Sequence, residues 1–581
     1  MPTPDAPAGI DRRTFMGLCS AVGLGGGGLP SALWTRAAPV LDSQAAQVPQ
    51  TPPKITRDML IAAEAVVGLE FTDAKRDLML DNVNQALGAY ATLRKVTLAN
   101  AVLPAIRFDP VLPGTRSLPV PRRASKAGPR RAPVARPATE GDLAFQSVAD
   151  LGALLRAGKV TSTELTQLSL DRLKRFDPEL LAVVNLLEAR AMEQARKADV
   201  ELKAGKVRGP LHGIPWGAKD LLAVPGYPTT WGSPIFKDQM LTDAATVVER
   251  LDAAGAVLVA KLSLGEFAQG DVWYGGTTKN PWKTTQGSSG SSAGPASATV
   301  AGCVAFAIGS ETQGSIISPS TRCGATGLRP TFGRVSRHGA MALSWTMDKL
   351  GPLCRSATDC GLVFGAIHGP DGKDPTVQDR PFDWSPGRGL AGIRVGYLKA
   401  AFEAEHATRE FDARALEVLT GMGLDLVPME LPPDLPTGGL RIILTAEAAA
   451  AFDEVTRSGQ DDQMVQQTRI AWPNTFRSAR FIPAVEYIQA NRARTLLMQR
   501  FDDFMGPVDL FVTPSFASNL IQITNLTGHP ALVMPNGFGA DGTPVSLSFI
   551  GRLFGEADLL TVGEAYQAAT DFHRRRPQKF A

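Results

Sequence analysis

The sequence predicts an α/β fold, a β-sheet core flanked by α-helices, and three observations carry that prediction. Short apolar runs at Ala256–Ala260, Ile393–Tyr397 and Leu510–Thr513 have the length and composition of buried strands. Helical patterns lie between such runs, one of them leading straight into Ala256, and this alternation belongs to α/β architectures. Composition is that of a globular chain, with 581 residues, 44% apolar and 20% charged, so that a large core and more than one structural region are expected.

From the N-terminus, residues 1–38 read as a twin-arginine-type export signal. Arg12 and Arg13 are followed by Thr14, Phe15 and Met16, then by a weakly apolar, Gly-rich stretch to Trp34. Cleavage is expected near Ala37 or Ala38, after passage through the twin-arginine export machinery to the bacterial periplasm or outside. Residues 39–109 form an N-terminal helical region, whose clearest piece starts at Thr72 as N-cap and carries Leu78, Leu80, Val83, Leu87 and Tyr90. Residues 110–140 read as a linker. Pro110–Thr139 holds seven prolines, seven Lys or Arg and no acid, a composition that favours extended, exposed chain. The last region, 141–581, opens with helices at Val148–Ala157 and Glu164–Phe176, the second started by a capping box from Thr161 to Glu164.

Net charge is +3, and without the basic linker the rest of the chain stands at about −4, so no nucleic-acid partner is indicated. Beyond the first forty residues no stretch reaches ~18 consecutive apolar residues, and no stable membrane insertion is expected. Of five cysteines, Cys19 leaves with the signal, and the spacing of Cys303, Cys323, Cys354 and Cys360 is not that of a zinc site. Cys303 and Cys323 are expected as buried thiols. A Cys354–Cys360 bridge is conceivable in an oxidising compartment and is not assigned.

The chemistry is concentrated in two stretches, GIPWGAKD from Gly213 to Asp220 and the Gly/Ser-rich run from Asn280 to Ser315. A serine hydroxyl attacks a carbonyl only if a neighbour takes its proton. Lysine serves when burial lowers its pKa from ~10.4 by several units. Lys219 ends an apolar run through Ile214, Pro215, Trp216 and Ala218, expected as a buried strand or turn. SETQGS, Ser310 to Ser315, looks like a backbone nest whose amides at Thr312, Gln313, Gly314 and Ser315 face one oxyanion.

These motifs resemble the amidase signature enzymes. The family pattern is G-[IV]-P-x-x-x-K-D, then NPW with a Gly-Ser-Ser loop, then G-S-[DE]-T-x-G-S-I, and the chain carries all three in that order within roughly Gly141–Phe580. The resemblance implies a large mixed β-sheet flanked by helices, with Lys219 as base, Ser291 as bridging serine and Ser315 as nucleophile. Ser291 is chosen among the loop serines because the family places it eleven residues after the Asn of NPW, here Asn280, and twenty-four before the nucleophile. Ser292 becomes a supporting hydrogen bonder, and a cis peptide is implied between Gly290 and Ser291. A small-molecule amide is the implied substrate, esters are included, and no cofactor or metal is required. An exported amidase does not serve a cytoplasmic tRNA amidotransferase, although the motifs resemble its glutaminase subunit too. A homodimer is compatible with the family.

Two positions depart from the common D-T-G-G-S-I-R. Gln313 replaces a glycine inside the nest, where a positive φ is expected to strain it by roughly 1 kcal/mol or more. Ile317 replaces an arginine, which removes a charge beside the nucleophile. A rival reading takes Gly290–Gly294 as a G-x-S-x-G elbow with Ser292 as nucleophile and His529 as its partner, although the polar Lys283–Gly290 is a poor entry strand. A catalytically inactive, amidase-like binding protein is the third reading. Trp216, Trp231, Phe267 and Trp273 either line an apolar pocket or belong to the core.

Overall fold

The computed structural model describes residues 55–115, 118 and 134–581. The expected export signal with Ala37 and Ala38, and most of the basic linker, lie outside the described residues. The described residues form two compact units, divided between Thr97 and Leu98.

The first unit contributes α1 (Arg57–Val67) and α2 (Asp73–Leu93). Thr56 caps α1 by accepting from the Met59 amide, and Gly68 ends it in a left-handed turn at φ 69°. Arg76 ties the two helices together through a 2.8 Å ion pair to the buried Glu64. Thr72 stands at the N-cap of α2 as its sequence predicts, yet its side chain makes no capping bond.

The second unit is built on an eleven-stranded mixed sheet. Its strands are β1 (Val183–Leu186), β2 (Pro215–Lys219), β3 (Val257–Leu262), β4 (Phe306–Glu311), β5 (Thr326–Arg329), β6 (Lys349–Cys354), β7 (Val395–Leu398), β8 (Leu426–Met429), β9 (Leu510–Pro514), β10 (Ala531–Phe538) and β11 (Pro544–Gly551). They lie in the order β1-β3-β2-β4-β6-β5-β10-β11-β9-β7-β8. Parallel pairs join β2 to β3 and β4, and β7 to β8 and β9, while the other neighbours run antiparallel. Every residue of β2, β3, β4 and β6 is buried, which is why these strands read as near-continuous apolar runs.

Helices α3 (Val148–Arg156) and α4 (Ser162–Leu180) confirm the two expected N-terminal helices of this region. The Thr161 hydroxyl accepts from the Glu164 amide at 3.0 Å, but the return half of the box is replaced, because the Glu164 carboxylate pairs with Arg136. Helix α5 (Thr246–Ala253) leads into β3 as the sequence predicts. Helix α6 (Ala293–Val300), rich in Ala, Gly and Ser, is buried throughout and packs on β4, β6 and the short α7 (Ile317–Cys323). Small side chains are required there: a Cβ on Gly294 would sit 2.5 Å from the Ala182 carbonyl oxygen.

The four aromatic residues in question belong to the core. Trp216 stacks on Phe306 at 6.0 Å, Phe267 on Phe452 at 4.2 Å, and Trp231 tilts against Phe236, while the Trp273 indole donates to the Leu181 carbonyl. Cys303, Cys323, Cys354 and Cys360 are buried and free, so the conceivable Cys354–Cys360 bridge is absent. No helix among the described residues is long and apolar enough to cross a membrane.

Candidate active site

Two adjacent parallel strands assemble the site at their carboxyl ends. β2 pairs with β4 through Ala218 and Ile308, so Lys219 at the end of β2 meets Ser310 and Glu311 at the end of β4. Loops leaving such strand ends are where open α/β sheets place ligands.

Lys219 is fully buried, and its Nζ lies 2.8 Å from Ser291 Oγ, 3.1 Å from Ser292 Oγ and 2.9 Å from Ser310 Oγ. Burial lowers its pKa well below the usual lysine value, against the opposing pull of Asp348 and Glu311. A neutral amine has two hydrogens and one lone pair, so three hydroxyls around it cannot all accept. Ser292 must accept, because its own hydrogen goes to the Ser310 carbonyl at 3.1 Å. In the neutral form the lone pair is left for the hydroxyl hydrogen of Ser291 or Ser310.

Ser291 is 1% exposed and follows a cis peptide from Gly290. Ser315 is half-buried, and its backbone carbonyl accepts from the Ser292 amide at 3.1 Å, which fixes the two serine segments side by side. Its Oγ forms no hydrogen bond among the described residues, to Ser291 included. The segment joining β4 to α7 is held from beneath by Glu311. That carboxylate accepts from the Ile316 and Ile317 amides at 2.9 and 3.0 Å, from Arg329 Nη1 at 2.7 Å and from Asn525 Nδ2 at 2.7 Å. Burial opposes its charge, but Arg329 and these donors win and bring its pKa down to about 2.

With the Ile316 and Ile317 amides engaged by Glu311, the four preceding amides of Thr312, Gln313, Gly314 and Ser315 donate to no protein acceptor among the described residues. They form a run of unpaired donors beside the half-buried Ser315. The expectation of strain at Gln313 is corrected: the positive φ, 100°, falls on Gly314, and Gln313 keeps an ordinary backbone. The positive φ favours glycine there, and a Cβ at 314 would also crowd Ser318 Oγ at 3.1 Å and Ile521 Cγ2 at 3.3 Å. Ile317, in place of the arginine, is buried as the first residue of α7.

The elbow reading finds no support in this geometry. Ser292 Oγ is saturated: it donates to the Ser310 carbonyl and accepts from the Ser310 amide at 3.2 Å and from Lys219. His529 bonds Thr527 at 2.8 Å through Nδ1 and sets its ring edge-on against Phe501; no bond links it to Ser292. Burial drives its pKa down to about 3.

Three participants escaped sequence reasoning. Ser310, the third hydroxyl on Lys219, stands inside the SETQGS motif, and strand alternation from Glu311 was the available signal. Asp348, which accepts from Thr312 Oγ1 at 2.5 Å and from the Leu343 and Ser344 amides, and Asn525 are brought in by tertiary structure alone.

Known proteins resemble this chain in sequence and fold. The Amidase family matches residues 164–560. The A subunit of glutamyl-tRNA(Gln) amidotransferase from Chloroflexus aggregans is 37% identical over 489 residues, covering 75% of this chain and 99% of that protein. Among solved structures, the native peptide amidase of Stenotrophomonas maltophilia superposes with a TM-score of 0.65 at 30% identity, over 73% of this chain and 97% of that one. A bacterial aryl acylamidase shares the fold, with a TM-score of 0.66 at 21% identity over 74% of this chain and 97% of that one. A sheet of this order, a lysine and serine cluster at its strand ends, and a match over most of the chain converge on one conclusion: the chain belongs to the amidase signature family of amide-hydrolysing enzymes.

Proposed function

We propose that the chain hydrolyses the amide bond of a small molecule through an acyl-enzyme on Ser315. The observation that carries this reading is the fully buried Lys219 Nζ, 2.8 Å from Ser291 Oγ, since a lysine so placed is a proton acceptor and not a surface charge. Neutral Lys219 takes the Ser291 proton, Ser291 takes the Ser315 proton, and Ser315 Oγ bonds to the carbonyl carbon. The oxyanion that forms is met by the Thr312–Ser315 amides. The relay then returns the proton to the departing amine as the carbon–nitrogen bond breaks, and water repeats the cycle to release the acid. Esters follow the same route with a better leaving group.

Relatives in this family include both free-standing amidases and amidotransferase subunits, and hydrolysis by the purified chain alone distinguishes them. Arg12 and Arg13 support export to the periplasm, tested by cell fractionation of the wild type against Arg12→Lys/Arg13→Lys. The catalytic assignment is tested by intact mass after exposure to a fluorophosphonate. Labelling is expected to vanish in Ser315→Ala, to slow sharply in Lys219→Ala and Ser291→Ala, and to persist in His529→Ala. Labelling lost with Ser292 and His529 would establish the elbow instead, and an unlabelled wild type would mean an inactive binding protein.

A further inference from the structure

Asn100, Ala101 and Leu103 lie outside the span matched by the family, yet they wall a cavity beside the lysine and serine cluster. This cavity of about 70 Å³ reaches Ser310, a partner of Lys219 Nζ, and Thr312, the first of the four unpaired amides. Leu221, Met341 and Leu350 make its inner wall apolar, and Asn100, Ala101 and Leu103 close its outer side.

The charged groups at its edge are already engaged. Arg337 pairs with Asp374 at 3.0 Å, Lys373 with Glu249 at 2.9 Å, and the Asp348 carboxylate accepts from Thr312 and two amides. None is left to recruit an ionic substrate group, so the occupant is neutral, an aliphatic group against the apolar inner wall, with the Trp345 indole N–H, unpaired among the described residues, as a polar donor in the same lining. One water fills about 10–15 Å³ on this measure, which limits that occupant to roughly five non-hydrogen atoms.

The outer wall is fastened at both ends. The Asn100 side chain grips Ala342 like a neighbouring strand, Oδ1 accepting from its amide at 2.7 Å and Nδ2 donating to its carbonyl at 2.8 Å. Further along, Arg107 donates to the Pro375 carbonyl at 2.9 Å, and Phe108 sits edge-on to Phe332 beneath the Arg494 guanidinium, 3.5 Å from its ring centre.

We propose that Asn100–Leu103 is a specificity strap, with Asn100 its positioning residue and Leu103 the side chain that restricts this cavity to a short aliphatic group of the substrate. The proposal rests on the Ser315 reading, because it makes the cavity a substrate subsite. Two substrate series test it: linear alkanoyl p-nitroanilides from acetyl to octanoyl, and acetamides of linear amines of the same lengths. In one series kcat/KM of the wild type should fall beyond about five carbons. Leu103→Ala should raise the long-to-short ratio of kcat/KM by roughly tenfold for each methylene newly admitted. Asn100→Ala should move the same ratio in the same direction. A ratio is insensitive to loss of folded enzyme, so ratios unchanged in both series would overturn the proposal. A wild type that cleaves no amide would remove the Ser315 reading alone. Calorimetric binding of pentanamide and octanamide to Ser315→Ala would then decide the strap: a preference for pentanamide that Leu103→Ala erases supports it, and equal affinities refute it.

Discussion

Replacing Lys219 by Met removes the proton acceptor while keeping an unbranched chain of similar length in a fully buried site. Two opposing consequences follow from the geometry. Catalysis loses its general base, worth 10²–10⁴ in rate, and the midpoint of that range is about 4 kcal/mol of barrier. Stability loses three hydrogen bonds to Ser291, Ser292 and Ser310, each contributing about 1 kcal/mol, offset by a thioether that prefers the buried site. Folding therefore changes little while turnover falls about a thousandfold. The pH dependence separates this from simple disruption. The folded-state pKa of Lys219 is depressed, so the unfolded chain binds more protons between that pKa and 10.5, and wild-type stability rises with pH across this window by about 1.4 kcal/mol per unit. The urea midpoint of the wild type should climb with pH relative to that of Lys219→Met, while the alkaline-rising limb of kcat/KM disappears in the variant. Retention of a tenth or more of wild-type kcat/KM, or persistence of that limb, would refute the assignment of Lys219 as the base.

Glu311→Gln should destabilise the chain by about 3–5 kcal/mol in urea unfolding, because it leaves Arg329 buried and uncompensated. The same carboxylate sets an acid limit. Its pKa falls from 4.5 to about 2 on folding, so its stabilisation, about 3 kcal/mol, is complete above 4.5 and is lost as pH falls from 4.5 toward 2. Gly314→Ala should cost about 1–2 kcal/mol in backbone strain at φ 100°, and, if the Thr312–Ser315 amides hold the oxyanion as proposed, lower kcat more than it raises KM. Ser292→Ala should leave the nucleophile intact, with fluorophosphonate labelling retained and a stability loss of about 1–3 kcal/mol from the bonds to Ser310.

Legibility in the sequence followed the range of the interactions. Strands β3, β7 and β9 and helices α3 and α4 were visible because a buried strand needs an uninterrupted apolar run and a helix start needs a cap, and both demands are local. Lys219, Ser291 and Ser315 were singled out because each lies in a short motif that resembles the family's, whose spacing selected Ser291 over Ser288, and the structure brings Lys219 to Ser291. The strand order was not visible, since β2 meets β4 with β3 on its other side, a pairing that no contiguous window encodes.

The error at Gln313 shows where motif comparison stops. A missing glycine suggested strain, but only the position that turns through φ 100° requires glycine, and that is Gly314, which the chain retains. Gln313 keeps a negative φ, and the segment just after it is positioned from below: Glu311 holds the Ile316 and Ile317 amides, and Arg329 and Asn525 hold Glu311. Support of this kind comes from β5 and from a helix some two hundred residues further on, so it leaves no mark near the motif. The same physics explains how a buried acid can stand beside a buried lysine whose pKa is lowered. Glu311 is neutralised by Arg329, and its pull on Lys219 does not outweigh the desolvation that lowers the lysine pKa.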